Sequence, residues 1–312
     1  VSLEGDAAAP VLHAGGDRLG PIGAGLLALD RRLTWMDGAG IDEQWVSPWL
    51  DLLTWHDMDD PRGWVAAVNA ALTEVVAAHP RLRPVYAVHL GPGADPAGDI
   101  AGLPGPTPAV LVNTHPPGVT SLADPAIEPL WEALATAGIP ALVHPPANGP
   151  SCSFTPPVLQ NITGRLVDTS TAVLELVLGG VLDRHHDLDL LVVHGGGLLP
   201  YQAFRLDGLE RAGLLARTGT STRASEVLRR LWYDTVALDP ASIELLVRRV
   251  GPDRVLLGSD APFAIGDPDP VGTLRGCDLP PETMRAVCGG NARRLGRLTA
   301  SPAGDPGDGG PG

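Results

Sequence analysis

The chain has 312 residues, enough for one large domain, with 44% hydrophobic content and a formal net charge of -14. That charge repels phosphate backbones and anionic lipid, which argues against nucleic acid and membrane partners, and no apolar run reaches the ~20 residues of a bilayer span. All 22 basic residues are arginine, which rules out a Schiff-base lysine, a phosphate-loop lysine and a carboxylated lysine bridging two metals.

Taken in chain order, residues 1–22 with their Gly-rich turns read as a small hairpin. From Asp30 to Leu298 short buried strands alternate with amphipathic helices, the pattern of parallel α/β architecture. Strands are expected over 41–47, 84–90 and 109–114, with a helix from Pro61 to about His79. Pro92, Pro96, Pro104, Pro106 and Pro108 predict a degenerate crossover helix before the third of these strands. Asp124-Pro125 opens a helix with Ile127, Leu130, Trp131 and Leu134 on one face, ended by Gly138. Asp168 opens another, with Val173, Leu174, Val177, Leu178 and Val181 buried. Asp239-Pro240 opens a third, with Ile243, Leu246, Val247 and Val250, closed by Gly251-Pro252. Residues 301–312 have nothing apolar to bury and read as a disordered tail. Cys152, Cys277 and Cys288 lack zinc-knuckle or redox spacing and predict reduced thiols in a cytoplasmic protein.

Three of the apolar runs end on residues that bind metal: Ala141-Leu142-Val143-His144, Leu190-Leu191-Val192-Val193-His194 and Val255-Leu256-Leu257-Gly258-Ser259-Asp260. A lone His or Asp there often only caps a strand. Three in the same context predict two imidazoles and a carboxylate in one mouth of a β/α barrel.

With those residues go His194-Gly195-Gly196-Gly197, Gly258-Ser259-Asp260-Ala261-Pro262-Phe263 and Asn161-Ile162-Thr163-Gly164-Arg165. By them the chain resembles the amidohydrolase superfamily, in the branch related to aminocarboxymuconate semialdehyde decarboxylase. The resemblance runs from Asp30 to Leu295. It implies a TIM-type (β/α) barrel over 1–300, His144 and Asp260 as metal ligands, and His194 beside the metal, handling protons. It also implies that Arg205 reaches a substrate carboxylate across a homodimer interface, with Arg18 as a second substrate arginine. The family's first strand carries a His-x-His pair, which this sequence lacks. The first strand is therefore expected to lie upstream of Val1; the alternative is a natural variant without it.

The resemblance implies one divalent metal, zinc first and manganese next, lowering the pKa of bound water toward ~7. The reaction expected is decarboxylation of a small unsaturated or aromatic carboxylic acid. Hydrolysis of an amide, ester or lactone, with Asp260 taking the proton, is the alternative, and a non-catalytic acid-binding barrel is the third reading. His89 and His115 also end predicted strands and face either the mouth or loop packing; His185 and His186 at a helix end read as solvated. Trp45, Trp49 and Trp55 read first as core and second as a stacking surface for a planar substrate. Asn161 and Arg165 are candidates for ordering the loop after His144, which resembles an active-site lid.

Overall fold

The computed structural model describes residues 2–297 apart from 7–8, 15–16, 21, 54–58, 148, 215–217 and 221–222. The expected tail and Trp55 lie outside the described residues. Strands β1 (Ser2–Glu4), β2 (Val11–Ala14) and β3 (Asp17–Leu19) make a three-stranded antiparallel sheet, one strand more than a single hairpin. The remaining strands are parallel: β4 (Gln44–Val46), β5 (Leu82–Pro84), β6 (Tyr86–Ala87), β7 (Val110–Asn113), β8 (Ala141–His144), β9 (Leu190–Val192), β10 (Trp232–Asp234) and β11 (Val255–Leu256). β5 and β6 are parts of one strand interrupted at Val85, whose N–H still donates to Val46 O at 2.8 Å. The strands thus stand in one arc, β4 to β11 in chain order, the wall of a β/α barrel. Among the described residues, the outer edges of β4 and β11 pair with no further strand.

Side-chain alternation decides what faces the lumen. In β8, Ala141 and Val143 join the outer core under the helices, so Leu142 and His144 point inward. Likewise Leu190 and Val192 of β9 pack outward and Leu191 inward, as Tyr233 and Val255 pack outward and Trp232 and Leu256 inward. The largest core lies between the arc and its helices, around Leu130, Trp131, Leu134, Val173 and Leu176.

The helices start where Asp-Pro steps predict. Asp60, Asp95 and Asp239 accept from backbone N–H groups of Gly63, Gly98 and Ser242 at 2.8, 3.1 and 2.9 Å. For the helix Pro240–Val250, such a cap contributes about 1 kcal/mol. Burying Ile243, Leu246, Val247 and Val250 contributes about 1.5–3 kcal/mol per side chain, so packing holds it. The crossover helix among the prolines shrinks to Pro96–Ala101.

The helix expected at Asp168 starts earlier. A π-turn over Gln160–Gly164 feeds directly into Arg165–Leu178. Asp168 therefore lies inside the helix, buried, and accepts from Ser151 Oγ at 2.5 Å; Leu176 takes the buried position expected of Leu174 or Leu178. The sequence reading also passes over β10, whose three residues follow closely on Arg229-Arg230 and end on the polar Asp234.

Candidate metal centre

Three side chains converge at the C-terminal ends of the strands. One ligand atom from each of His144, His194 and Asp260 lies within 4.8 Å of the other two, and the imidazole centroids are 5.2 Å apart. All three line one large cavity.

Each reaches the site by a different backbone device. His144 arrives by alternation at the end of β8. Continued alternation would send His194 outward with Leu190 and Val192. The chain instead enters a left-handed turn, with φ of 57° at His194, 61° at Gly195, 78° at Gly196 and 61° at Gly197. Asp260 is also left-handed, at φ 56°, an arrangement that costs free energy and is held by its surroundings. A Cβ on Gly196 would meet the Tyr233 ring at 2.5 Å, and one on Gly197 would meet Leu166 O at the same distance. Asp234 fixes the turn: its carboxylate accepts from the N–H groups of His194 at 3.1 Å, Gly195 at 2.7 Å and Val236 at 3.0 Å.

The electrostatics favour a cation between the three. Desolvation, with the charge of Arg165 adding to it, lowers His144 to about 4, and desolvation with the nearby imidazole of His144 lowers His194 well below its ordinary value. Both rings are neutral at pH 7 and have lone pairs to give. His144 Nδ1–H donates to Pro145 O at 2.8 Å, which leaves Nε2 as the lone-pair atom. His194 Nδ1 is buried without a hydrogen-bond partner. Desolvation and the charge of Asp234 push Asp260 up to about 7, against the opposing effect of Arg165. Two neutral nitrogens and a carboxylate short of positive charge fit a divalent ion.

Other sequence candidates fall elsewhere. Arg205 is exposed on the helix Leu199–Arg211 and is not part of the cavity wall. Arg18 is exposed on β3, where its Nη1 donates to Gly20 O at 3.3 Å. His89 Nε2 lies 3.2 Å from Pro92 O and His115 Nδ1 2.8 Å from Thr114 Oγ1; neither lines the cavity. His185, expected in solvent, is partly buried, with Nε2 2.8 Å from Glu128 Oε1. Trp45 and Trp49 do line the cavity, and the Trp49 and Phe263 rings lie 6.4 Å apart at its rim.

The loop after His144 is tied down by Ala147 N–H to Asp51 at 2.8 Å, Ser151 to Asp168, and Gln160 to Ala147 O. Arg165 closes it: Nη1 donates to Pro145 O at 3.2 Å and Nε to Asn161 Oδ1 at 3.0 Å. Arg165 is expected from the sequence as a residue that orders this loop, and it does so; Asp234 is a site residue that the sequence reading does not name. The only sequence signal for Asp234 is that it, too, ends an apolar run.

A family model described as amidohydrolase matches residues 94–298. A 2-amino-3-carboxymuconate-6-semialdehyde decarboxylase of Dictyostelium discoideum is 26% identical over 61% of this chain and 52% of its own length. A 6-methylsalicylic acid decarboxylase of Penicillium expansum is 29% identical over 59% of this chain and 58% of its own. The matches thus span little more than half of these two curated relatives. A 2-keto-4-carboxy-3-hexenedioate hydratase of Sphingobium is 25% identical over 74% and 71%. Among solved structures, a 5-carboxyvanillate decarboxylase of Novosphingobium aromaticivorans, complexed with manganese and 4-hydroxy-3-methoxy-5-nitrobenzoic acid, superposes with a TM-score of 0.74. It is 24% identical, and the match covers 86% of this chain and 80% of that one.

Proposed function

The chain belongs to the amidohydrolase family, and on that premise we propose that it is a divalent-metal-dependent decarboxylase of small aromatic or unsaturated carboxylic acids. The observation that carries the reading is the convergence of His144, His194 and Asp260 within 4.8 Å at one barrel mouth. The decarboxylases among its relatives support the reaction, and the solved relative supports an aromatic acid as the substrate class.

His144, through Nε2, and Asp260 hold the ion. The N and O donors suit zinc, while the solved relative holds manganese. When bound, the ion supplies a Lewis acid that draws electron density from the oxygen atoms of the substrate. His194, kept neutral by desolvation, carries the proton. Its imidazole takes a proton from solvent water and gives it to the carbon that loses carbon dioxide, where it meets the electron pair of the broken carbon–carbon bond. Trp49 and Phe263 flank a planar ring at the rim. Arg205, exposed on its helix, serves the site of a second copy in a homodimer, and the protein works in the cytoplasm.

A second reading has water add to or cleave the substrate on the same barrel, with Asp260 taking the proton. The hydratase relative, which covers more of this chain than the two decarboxylases, favours it. Incubating the manganese-loaded protein with hydroxybenzoic acids, an unsaturated keto acid and aryl amides separates the two. Carbon dioxide release supports decarboxylation; hydrated or hydrolysed product without carbon dioxide overturns it.

A further inference from the structure

Arg165 stands in the cavity wall with His144, His194 and Asp260. It is tied to the metal side of the mouth, because the carbonyl that accepts its Nη1–H, that of Pro145, also accepts His144 Nδ1–H. A guanidinium has five N–H donors. Arg165 spends one on Pro145 O and one on Asn161 Oδ1, leaving three without an acceptor among the described residues. No carboxylate lies within 4.0 Å of it among those residues. Arg165 is half-buried in the cavity wall, and in a chain with 36 acidic and 22 basic residues it still makes no ion pair among the described residues. Arg62, Arg81, Arg83 and Arg184 each pair with a carboxylate. Arg32, Arg275 and Arg293 also line the cavity, but Arg32 donates to Gln44 at the N-terminal end of β4, the opposite end of the barrel from the His and Asp cluster, and Arg275 and Arg293 are exposed, whereas Arg165 is bonded to the carbonyl that holds His144.

We propose that Arg165 binds the substrate carboxylate from within the same chain and makes the site selective for acids over their neutral analogues. This rests on the reading of the protein as an acid-transforming enzyme. Arg165, with Nε held by Asn161 and Nη1 by Pro145, keeps both Nη2–H groups and one Nη1–H to donate to paired carboxylate oxygens. An anion approaching a chain of net charge -14 needs such a local cation. The role differs from that of a loop fastener, because fastening the loop serves charged and neutral ligands alike.

The test compares manganese-loaded wild type, Arg165→Leu and Arg165→Lys by calorimetric titration with 2,6-dihydroxybenzoate and with the neutral 2,6-dihydroxybenzamide, alongside metal content. Arg165→Leu should weaken binding of the acid by about 10- to 100-fold and of the amide by less than about threefold, with metal content unchanged. Arg165→Lys, which keeps the charge without the fork, should recover part of the loss. If the Leu variant does not fold, the Lys variant decides, since it should weaken the acid more than the amide. Equal weakening of both ligands, or unchanged acid binding, overturns the inference and leaves the enzyme reading standing. Manganese-loaded wild type that binds neither ligand overturns both.

Discussion

His144 and Arg165 donate to the same oxygen: Pro145 O lies 2.8 Å from His144 Nδ1 and 3.2 Å from Arg165 Nη1. One carbonyl thereby sets the tautomer of the His144 imidazole, a candidate metal ligand, and the position of a cation. It turns the His144 lone pair toward His194 and Asp260, and it holds the guanidinium at the edge of the same cavity.

His144 and Asp260 should bind about one divalent ion per chain, beside His194. Elemental analysis should find it in wild type and much less in His144→Ala or Asp260→Ala. Manganese at about 100 times its dissociation constant should add about 2.7 kcal/mol of stability, read as a raised melting temperature that a chelator reverses. A wild-type melting temperature indifferent to metal would count against the site.

Asp234 is expected to matter through geometry. It takes three backbone N–H groups around the turn at His194, and Asp234→Asn presents an amide group to some of them. The variant should lose about 1–3 kcal/mol of stability, the cost of leaving buried donors unpaired, measured as a lower denaturation midpoint. Turnover should fall further than stability alone explains, because His194 rides on that turn.

Glu128 gives a stability that depends on acid. It receives Arg184 Nε and Nη2 and His185 Nε2, each at 2.8 Å. The hydrogen bonds from Arg184 lead in lowering its pKa from 4.5 to about 2. A carboxylate depressed on folding contributes stability that is full above its unfolded pKa and lost as pH falls through the folded one. The difference in melting temperature between wild type and Glu128→Gln should be constant above about pH 5 and shrink steadily from pH 4.5 toward 2. A difference unchanged down to pH 3 would show that the pair contributes through shape alone.

His194→Asn should keep the fold and most of the metal while lowering turnover by about 10²-fold or more, the scale of a lost proton carrier. Arg205→Ala should mainly weaken substrate binding. If Arg205 serves the neighbouring site in a homodimer, mixing the two variants should restore activity, since one site then has both residues intact. Verified mixed dimers without rescue would show that Arg205 does not act in trans.

What could be read from the sequence was what short-range rules control. Asp-Pro steps announced helix starts, and β-branched runs announced the strands before His144, His194 and Asp260; only β8 ends on its site residue, because β9 stops at Val192 and β11 at Leu256 and left-handed backbone carries His194 and Asp260 inward. Asp168 was misplaced as a helix start because the π-turn before Arg165 begins the helix one turn early, and no local propensity marks a π-turn. β10 escaped because three residues carry too little periodicity. The nearness of Arg165 to His144 depends on a loop of some twenty residues folding back on Pro145, which only tertiary contacts decide.

The turn after β9 has a consequence for how this protein can vary. Every first- or second-position change in a glycine codon adds a side chain or, in one case, a stop. At Gly196 and Gly197 any side chain begins with an atom that runs into Tyr233 or Leu166, in a backbone region hostile to it. These positions therefore have almost no neutral mutational neighbours. Natural drift and random mutagenesis alike should leave them glycine while the cavity rim diversifies, so variation in substrate preference is channelled into the loops that surround the turn.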